Sequence, residues 1–184
     1  MMRPVRLYLA GPAGSGKTTV AEMLVRNYGF ARVSLGGLCR EEARRRGLPE
    51  DRATLQAMGD VLRGPEPARL AVLAWERARR VPGPLVIDGV RLRAEAEWLS
   101  ARGALGVRVS APEPVRTVRL LRRDGATGVP PHPTESEAET LSADLWLQTS
   151  ECRAELFRAT RILIARGHLL AAKARPSRQP AAAQ

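Results

Sequence analysis

The sequence predicts an α/β fold of three layers, in which helices cover both faces of a five-stranded parallel sheet. Short apolar stretches alternate with longer amphipathic ones along most of the 184 residues, and this alternation is typical of a parallel sheet flanked by helices. A glycine-rich turn joins the first strand to the first helix. One domain is expected at this length, with a core of Leu, Val and Ala because aromatic residues make up only 4%.

The five strands are predicted where short apolar stretches stand between glycine, proline or polar residues. The first, residues 5–10, runs directly into the glycine-rich turn, and the third, residues 85–88, lies between a Pro-Gly-Pro sequence and Gly89. The other three strands are predicted at residues 30–34, 105–110 and 144–147. Because a helical segment separates each strand from the next, neighbouring strands are expected to be parallel.

Helices are predicted where apolar residues recur at intervals of three and four. In residues 52–63, for example, Leu55, Met58 and Leu62 share one face. A helix at residues 38–46 is expected to begin after a glycine pair and to end at a glycine. The remaining helices are predicted at residues 17–28, 67–80, 92–102, 113–123, 134–141 and 151–165.

Two segments fall outside this alternation. Residues 124–133 contain two glycines and three prolines, a composition expected of a lid loop that closes over a site. Residues 171–184 are rich in Ala, Arg, Pro and Gln and are expected to be a disordered tail. The sequence therefore predicts one domain at residues 1–170, with the lid inside it.

The glycine-rich turn carries the most specific motif. Residues 11–18 read Gly-Pro-Ala-Gly-Ser-Gly-Lys-Thr and match G-x-x-x-x-G-K-[ST], the phosphate-binding P-loop, in its required strand–turn–helix setting. Lys17 is one of only two lysines among 30 basic residues, and it is expected to reach the β- and γ-phosphates and to act in catalysis. The predicted ATP-binding residues are Gly11, Ala13, Gly14, Ser15, Gly16, Lys17, Thr18 and Thr19.

Asp88 and Arg91 form a second candidate group. Asp88 ends the third strand, and ligands bind at the carboxyl edge of open α/β sheets. Its carboxylate, together with the Thr18 hydroxyl, is predicted to hold Mg²⁺, or to accept a proton from the attacking group. Arg91 is predicted to bind a phosphate or carboxylate of the substrate. Glu95 lies one helical turn further on, where it could hold Arg91 in place.

Further arginines are candidates for phosphate binding. Arg122 and Arg123, with Arg119 one turn before them, end the helix that precedes the expected lid. They are predicted to stabilise charge on the transferring phosphate, the alternative being favourable pairing with the carboxyl end of their helix. Arg40 and Arg63 are predicted to bind the phosphate of an acceptor, the alternative being ordinary solvated arginines.

Composition limits the partners. The net charge of +11 could indicate nucleic acid, but phosphorylated small molecules explain it equally well, and the arginines are scattered rather than interleaved with aromatic residues. The absence of an 18-residue apolar run argues against a membrane span. Two cysteines, Cys39 and Cys152, are too few for a disulfide framework, so a cytoplasmic location is expected. The composition leaves the oligomeric state open.

Together the motifs resemble P-loop nucleotide and small-molecule kinases over residues 5–165, especially deoxynucleoside monophosphate kinases and dephospho-CoA kinases. The resemblance lies in the P-loop, in Asp88-Gly89-Val90-Arg91 with Glu95, in residues 38–63, and in the stretch that begins His132-Pro133-Thr134-Glu135. Val90 and Leu92 depart from the adenylate-kinase pattern, which argues against a plain adenylate kinase. The final strand leads into Gln148-Thr149-Ser150, where many relatives have an asparagine.

This resemblance implies a P-loop NTPase fold that binds ATP and Mg²⁺ and transfers the γ-phosphate to a phosphorylated small molecule. A (deoxy)nucleoside monophosphate is the favoured acceptor, and dephospho-CoA or a similar metabolite is the alternative within kinases. A regulatory or nucleic-acid-linked NTPase is the alternative outside them. A kinase needs a closed acceptor pocket beside the γ-phosphate, whereas a switch NTPase needs a residue that positions water.

Overall fold

A parallel sheet of five strands forms the centre of the molecule. The computed structural model describes residues 4–124, 137–138, 140–149 and 153–173. Its strands are β1 (Arg6–Ala10), β2 (Ala31–Ser34), β3 (Leu85–Val90), β4 (Leu105–Ser110) and β5 (Leu145–Gln148). They lie in the order β2-β3-β1-β4-β5, and all four pairings are parallel. The predicted fold class is confirmed.

Helices cover both faces of this sheet. They are α1 (Lys17–Tyr28), α2 (Leu35–Arg45), α3 (Arg52–Arg63), α4 (Arg69–Ala78), α5 (Arg93–Ser100), α6 (Glu113–Asp124) and α7 (Arg153–Lys173). Side chains alternate along β1, because successive residues of a strand point to opposite faces. Leu7 and Leu9 therefore pack in one core cluster, with residues of α1 and α7, whereas Tyr8 and Ala10 pack in the other, with residues of α2, α4 and α5.

The order of strands determines where a ligand can bind. Leu9 of β1 lies opposite Asp88 of β3, and the register slips between Leu9 and Ala10 so that Ala10 lies opposite Val90. The skipped residue is Gly89, whose φ of 92° suits glycine. The end of β1, where the P-loop begins, is thus directly beside Asp88.

Two helix boundaries differ from the sequence prediction by three residues or more, and the others that the structure describes differ by at most two. The second helix begins at Leu35 rather than at residue 38, because Ser34 caps it by accepting a hydrogen bond from the Gly37 N–H at 3.2 Å. The glycine pair therefore lies inside the first turn. The last helix continues to Lys173 rather than ending at residue 165, so the prediction that the tail starts at residue 171 places its boundary within this helix.

Some predictions fall on residues that the structure does not describe. They are most of the expected lid at residues 124–133, which includes His132, half of the short helix expected at residues 134–141, and the tail from residue 174 onward. Glu137 is described, and its Oε1 accepts a hydrogen bond from the Arg93 N–H at the start of α5, at 2.6 Å. Within the described residues, no helix has the length and hydrophobicity needed to cross a bilayer.

Candidate active site

The P-loop curls tightly at the end of β1. Gly11, Gly14 and Gly16 have φ angles of 138°, 75° and 91°, a region that other residues rarely adopt. Steric packing also requires glycine at position 11, since a Cβ on Gly11 would lie 2.1 Å from the Val109 carbonyl oxygen. Gly11 is therefore required both by backbone conformation and by close packing against β4, and Gly14 likewise by its conformation and by packing against α6, where a Cβ would lie 2.8 Å from the Arg116 carbonyl oxygen.

Lys17 folds over this loop. Its Nζ donates hydrogen bonds to the carbonyl oxygens of Gly11 at 2.8 Å and Pro12 at 2.7 Å, and lies 3.4 Å from the Ser15 Oγ. The ammonium group is held at the mouth of the loop, at the start of α1, where the helix dipole also favours an anion.

A second set of contacts fixes the P-loop from outside. The Thr149 hydroxyl, buried beyond the end of β5, donates to the Ser15 carbonyl oxygen at 2.8 Å. Arg119 of α6 donates to that hydroxyl at 3.0 Å and to the Gly14 carbonyl oxygen at 3.2 Å. Gly16 completes the fit, since a Cβ there would lie 3.2 Å from Thr149 Cγ2. This clamp joins the P-loop to the helix that precedes the expected lid.

Asp88 is buried at the carboxyl edge of β3 and has an ion-pair partner that the sequence did not reveal. Its side chain is 4% exposed, and its Oδ2 accepts a hydrogen bond from Arg32 Nη2 of β2 at 2.7 Å. Arg32 also approaches Glu22 of α1, at 3.9 Å. A buried carboxylate requires such a partner, because transfer of an unpaired charge from water is very costly.

The residues present fit a magnesium ion that is bound together with a nucleotide. Thr18 and Asp88 line the same cleft and offer hydroxyl and carboxylate oxygens, the ligands Mg²⁺ prefers. In phosphate-binding sites Mg²⁺ takes only one or two protein ligands and completes its shell with phosphate oxygens and water. Arg32 uses Oδ2 of Asp88, which leaves Oδ1 for a metal-bound water. No group of three or more His, Cys, Asp or Glu side chains forms a metal site by itself within the described residues.

Glu95 organises the other end of the site. It is fully buried, and its Oε2 accepts hydrogen bonds from the backbone N–H groups of Arg91 at 3.0 Å and Leu92 at 3.1 Å. Its Oε1 accepts one from Arg63 Nε at 3.0 Å. The sequence predicted a role for Glu95 in holding Arg91, and in the structure it holds the backbone of that residue. Its bond to Arg63, which also pairs with Asp60 at 3.3 Å, was not foreseen.

Lys17, Thr18, Arg32, Arg63 and Asp88 line one open cleft of about 780 Å³. Among the described residues, its wall carries seven arginines and Lys17 but only two carboxylates, those of Glu50 and Asp88. The predicted site residues that line it are Ala13, Gly14, Gly16, Lys17, Thr18, Thr19, Arg40, Arg63, Asp88, Arg91 and Arg123. Gly11 and Ser15 are buried and do not line the cleft, and Arg122 is exposed elsewhere on α6. The cleft is therefore a strongly basic site of the size that small ligands need.

The side of the cleft away from the P-loop is partly apolar. Leu35, Cys39, Leu55 and Leu70 line it between α2, α3 and α4. Burial raises the pKa of the Cys39 thiol, although the nearby Arg63 lowers it in part, so this group is a neutral, small wall residue at neutral pH.

Comparison with known proteins identifies the family. Residues 7–141 match the AAA domain family. The chain belongs to this family. It is 37% identical over 128 residues to the UPF0200 protein of Aeropyrum pernix, covering 67% of this chain and 68% of that protein. It is 34% identical over 121 residues to the cytidylate kinase of Desulfurococcus amylolyticus, covering 65% of this chain and 61% of that enzyme.

A solved structure confirms the fold. Shikimate kinase from Acinetobacter baumannii superposes with a TM-score of 0.59 at 18% identity, over 95% of this chain and 97% of the other. The AAA domain protein therefore has the fold of P-loop kinases, and the predicted resemblance to nucleotide and small-molecule kinases is confirmed. A P-loop domain of this family implies nucleotide binding.

Proposed function

We propose that this AAA domain protein is an ATP-dependent phosphotransferase whose acceptor is a phosphorylated small molecule, a (deoxy)nucleoside monophosphate. The observation that carries this proposal is that one cleft contains both a P-loop and a separate set of acceptor-side arginines. A P-loop alone accounts for binding ATP. Arg40, Arg63 and Arg91 come from three other elements or loops and line the cleft beyond it.

The P-loop side would bind ATP. Backbone N–H groups of the loop and the Lys17 ammonium group would hold the β- and γ-phosphates. Thr18 and Asp88 would hold Mg²⁺, which when bound supplies the positive charge that neutralises those phosphate oxygens. Arg123, which lines the cleft from α6, would help to neutralise the same phosphate charge. Residues 124–133 would form a lid that excludes water.

The acceptor side would bind a phosphate monoester. The first turn of α2 faces the cleft, since Leu35 and Gly36 line it, and a helix N-terminus favours an anion. Arg40 and Arg91 line the cleft near this turn, and the guanidinium fork matches phosphate geometry. The apolar residues Leu55 and Leu70 would then contact a base.

The transfer itself follows from this arrangement. An oxygen of the acceptor phosphate attacks the γ-phosphorus of ATP, a new O–P bond forms, and the bond from the γ-phosphorus to the bridging oxygen breaks, which releases ADP. A phosphate monoester has a second pKa near 6, so its attacking oxygen already carries a charge at neutral pH. We therefore assign Asp88 to the metal rather than to proton removal.

The relatives suggest which acceptor to test first. Several relatives are named cytidylate kinase, including those from Desulfurococcus amylolyticus and Ignicoccus hospitalis. We infer CMP and dCMP as the first acceptors. We also infer a cytoplasmic site of action, and a kinase domain at residues 1–170 followed by a tail at 171–184 whose first three residues are the end of α7. Nucleic acid is the less favoured partner, because the basic residues described above line a concave cleft.

An acceptor panel tests the proposal. The full chain is incubated with ATP and Mg²⁺ and with each nucleoside monophosphate, with dephospho-CoA, or with shikimate as an unphosphorylated control, and ADP release is followed. A pyrimidine monophosphate should stimulate ADP release most, and shikimate should not stimulate it. Equal ATP hydrolysis with and without every acceptor would instead support a switch NTPase, and stimulation by dephospho-CoA alone would support the metabolite-kinase alternative.

A variant of Arg91 tests the assignment of the two sides. Arg91→Ala should raise the KM for the acceptor by the equivalent of about 1.5–3 kcal/mol, the range for a hydrogen bond to a charged group. The KM for ATP should change little. Loss of ATP binding with acceptor binding intact, measured by calorimetry, would reverse the assignment.

A further inference from the structure

Arg32 has a position in the cleft that its ion pair with Asp88 does not fully explain. It extends from β2, its side chain is 25% exposed, and it lines the same cleft as Lys17 and Thr18. Toward the part of the chain that the structure describes, only Nη2 makes a short contact, the 2.7 Å bond to Asp88. The distance from Nη1 to Glu22, 3.9 Å, exceeds a hydrogen bond.

The rest of this guanidinium group is incompletely bonded. Nε is buried and has no hydrogen-bond partner among the described residues. A guanidinium carries five N–H donors, and leaving a buried donor without a partner is unfavourable. An arginine that served only to pair with one carboxylate would need the N–H donors of only one edge of its guanidinium group. The exposed part of this guanidinium group, with the Nη N–H donors that Asp88 does not use, is therefore available for a ligand in the cleft.

The register of the sheet places this group beside the P-loop. Asp88 pairs with Leu9, two residues before Gly11, where the P-loop begins. On the other side of β3, Ser34 of β2 pairs with Asp88 and Arg32 pairs with Val86, two residues earlier, from where the Arg32 side chain reaches the Asp88 carboxylate. The guanidinium thus lies next to the carboxylate that borders the phosphate-binding loop.

We propose that Arg32 binds the terminal phosphate of ATP directly, with Asp88 as its anchor. Resting on the proposed function, this assigns to Arg32 a contact with the phosphoryl group that is transferred. Asp88 holds the fork in position through Oδ2, and the remaining N–H groups turn to a phosphate oxygen. The same pair prevents the buried carboxylate from repelling the phosphate, because its charge is balanced within 2.7 Å.

Calorimetry without metal separates these two effects. The dissociation constants of ATP and ADP are measured in EDTA for the wild type, Arg32→Gln, Asp88→Asn and the double variant. Arg79→Gln is the matched control, since this arginine forms a similar 2.6 Å pair with Glu76 on the surface. In the Asp88→Asn background no carboxylate is left to repel the phosphate, so any further effect of Arg32→Gln reports direct contact.

The expected result is a loss of the preference for ATP over ADP. Arg32→Gln should weaken ATP binding about tenfold or more in both backgrounds, as expected for a charge-assisted hydrogen bond, and should leave ADP binding within about twofold. Arg79→Gln should change neither. An unchanged ATP-to-ADP ratio on adding Arg32→Gln to Asp88→Asn would overturn the proposal. Wild-type protein that binds neither nucleotide, both in EDTA and after Mg²⁺ is restored, would instead overturn the proposed function.

Discussion

Glu95 offers the sharpest test of how the acceptor side is built. Its carboxylate is fully buried and accepts three hydrogen bonds, two from backbone N–H groups and one from Arg63. In Glu95→Gln the shape is kept, but one acceptor oxygen becomes an NH₂ donor. The amide oxygen can keep the two backbone bonds, and the NH₂ group then faces the Arg63 Nε–H. Two donors facing each other cannot bond.

The magnitude follows from what Arg63 loses. A charge-assisted hydrogen bond contributes about 1.5–3 kcal/mol, and breaking a buried pair by removing one charge costs about 3–5 kcal/mol. Arg63 is 12% exposed and keeps Asp60 as a partner at 3.3 Å. The cost of breaking its pair with Glu95 should therefore lie near the low end of the range of about 3–5 kcal/mol. We expect a loss of about 2–4 kcal/mol in the free energy of unfolding, which lowers the Tm by about 5–15 °C for a domain of this size.

Thermal and urea unfolding measure this loss, with Glu97→Gln as the control on the exposed face of the same helix. Activity below the transition should show a higher KM for the acceptor and an unchanged KM for ATP, because Arg63 lines the acceptor side. If the unfolding free energies of Glu95→Gln and Glu97→Gln agreed within about 0.5 kcal/mol, the buried network would not contribute as argued.

Three further predictions concern the cleft. Lys17→Ala should abolish phosphoryl transfer with little change in Tm, and turnover at the wild-type rate would refute the P-loop assignment. Arg123→Ala should lower kcat about 10²-fold or more with a small change in nucleotide affinity, whereas Arg122→Ala should leave kcat nearly unchanged because Arg122 does not line the cleft. Equal effects of the two substitutions would contradict this assignment. Because burial raises the pKa of the Cys39 thiol, iodoacetamide should label Cys39 in the Cys152→Ser variant slowly at pH 7 and faster as the pH rises toward that pKa. Bound acceptor should slow this labelling at every pH. A labelling rate that did not depend on pH would contradict the raised pKa.

Local patterns in the sequence were enough for the fold and the P-loop. The spacing of glycines around Lys17 depends on backbone conformation within a few residues, and the apolar periods of strands and helices are equally local. Asp88 and Arg91 could be placed at the sheet edge for the same reason, since a parallel α/β sheet brings the carboxyl ends of its strands together.

The contacts that shape the site could not be read from the sequence. Arg32 and Asp88 are 56 residues apart, and Thr149 and Ser15 are 134 apart. Which of many arginines meets a given carboxylate depends on strand order and register, which composition does not determine. The start of α2 was misplaced because glycines usually lie outside helices, whereas here Ser34 caps a helix that includes them.

The imbalance of charge along the cleft wall has a consequence for rates of encounter. Seven arginines and a lysine face two carboxylates in one concave surface, and such a surface concentrates field lines and attracts anions from solution. Salt screens this attraction over a Debye length of about 10 Å at 0.1 M ionic strength. Association of triphosphates and phosphate monoesters should therefore slow steeply as salt is added, so that affinities measured in dilute buffer will exceed those that hold at the ionic strength of a cell.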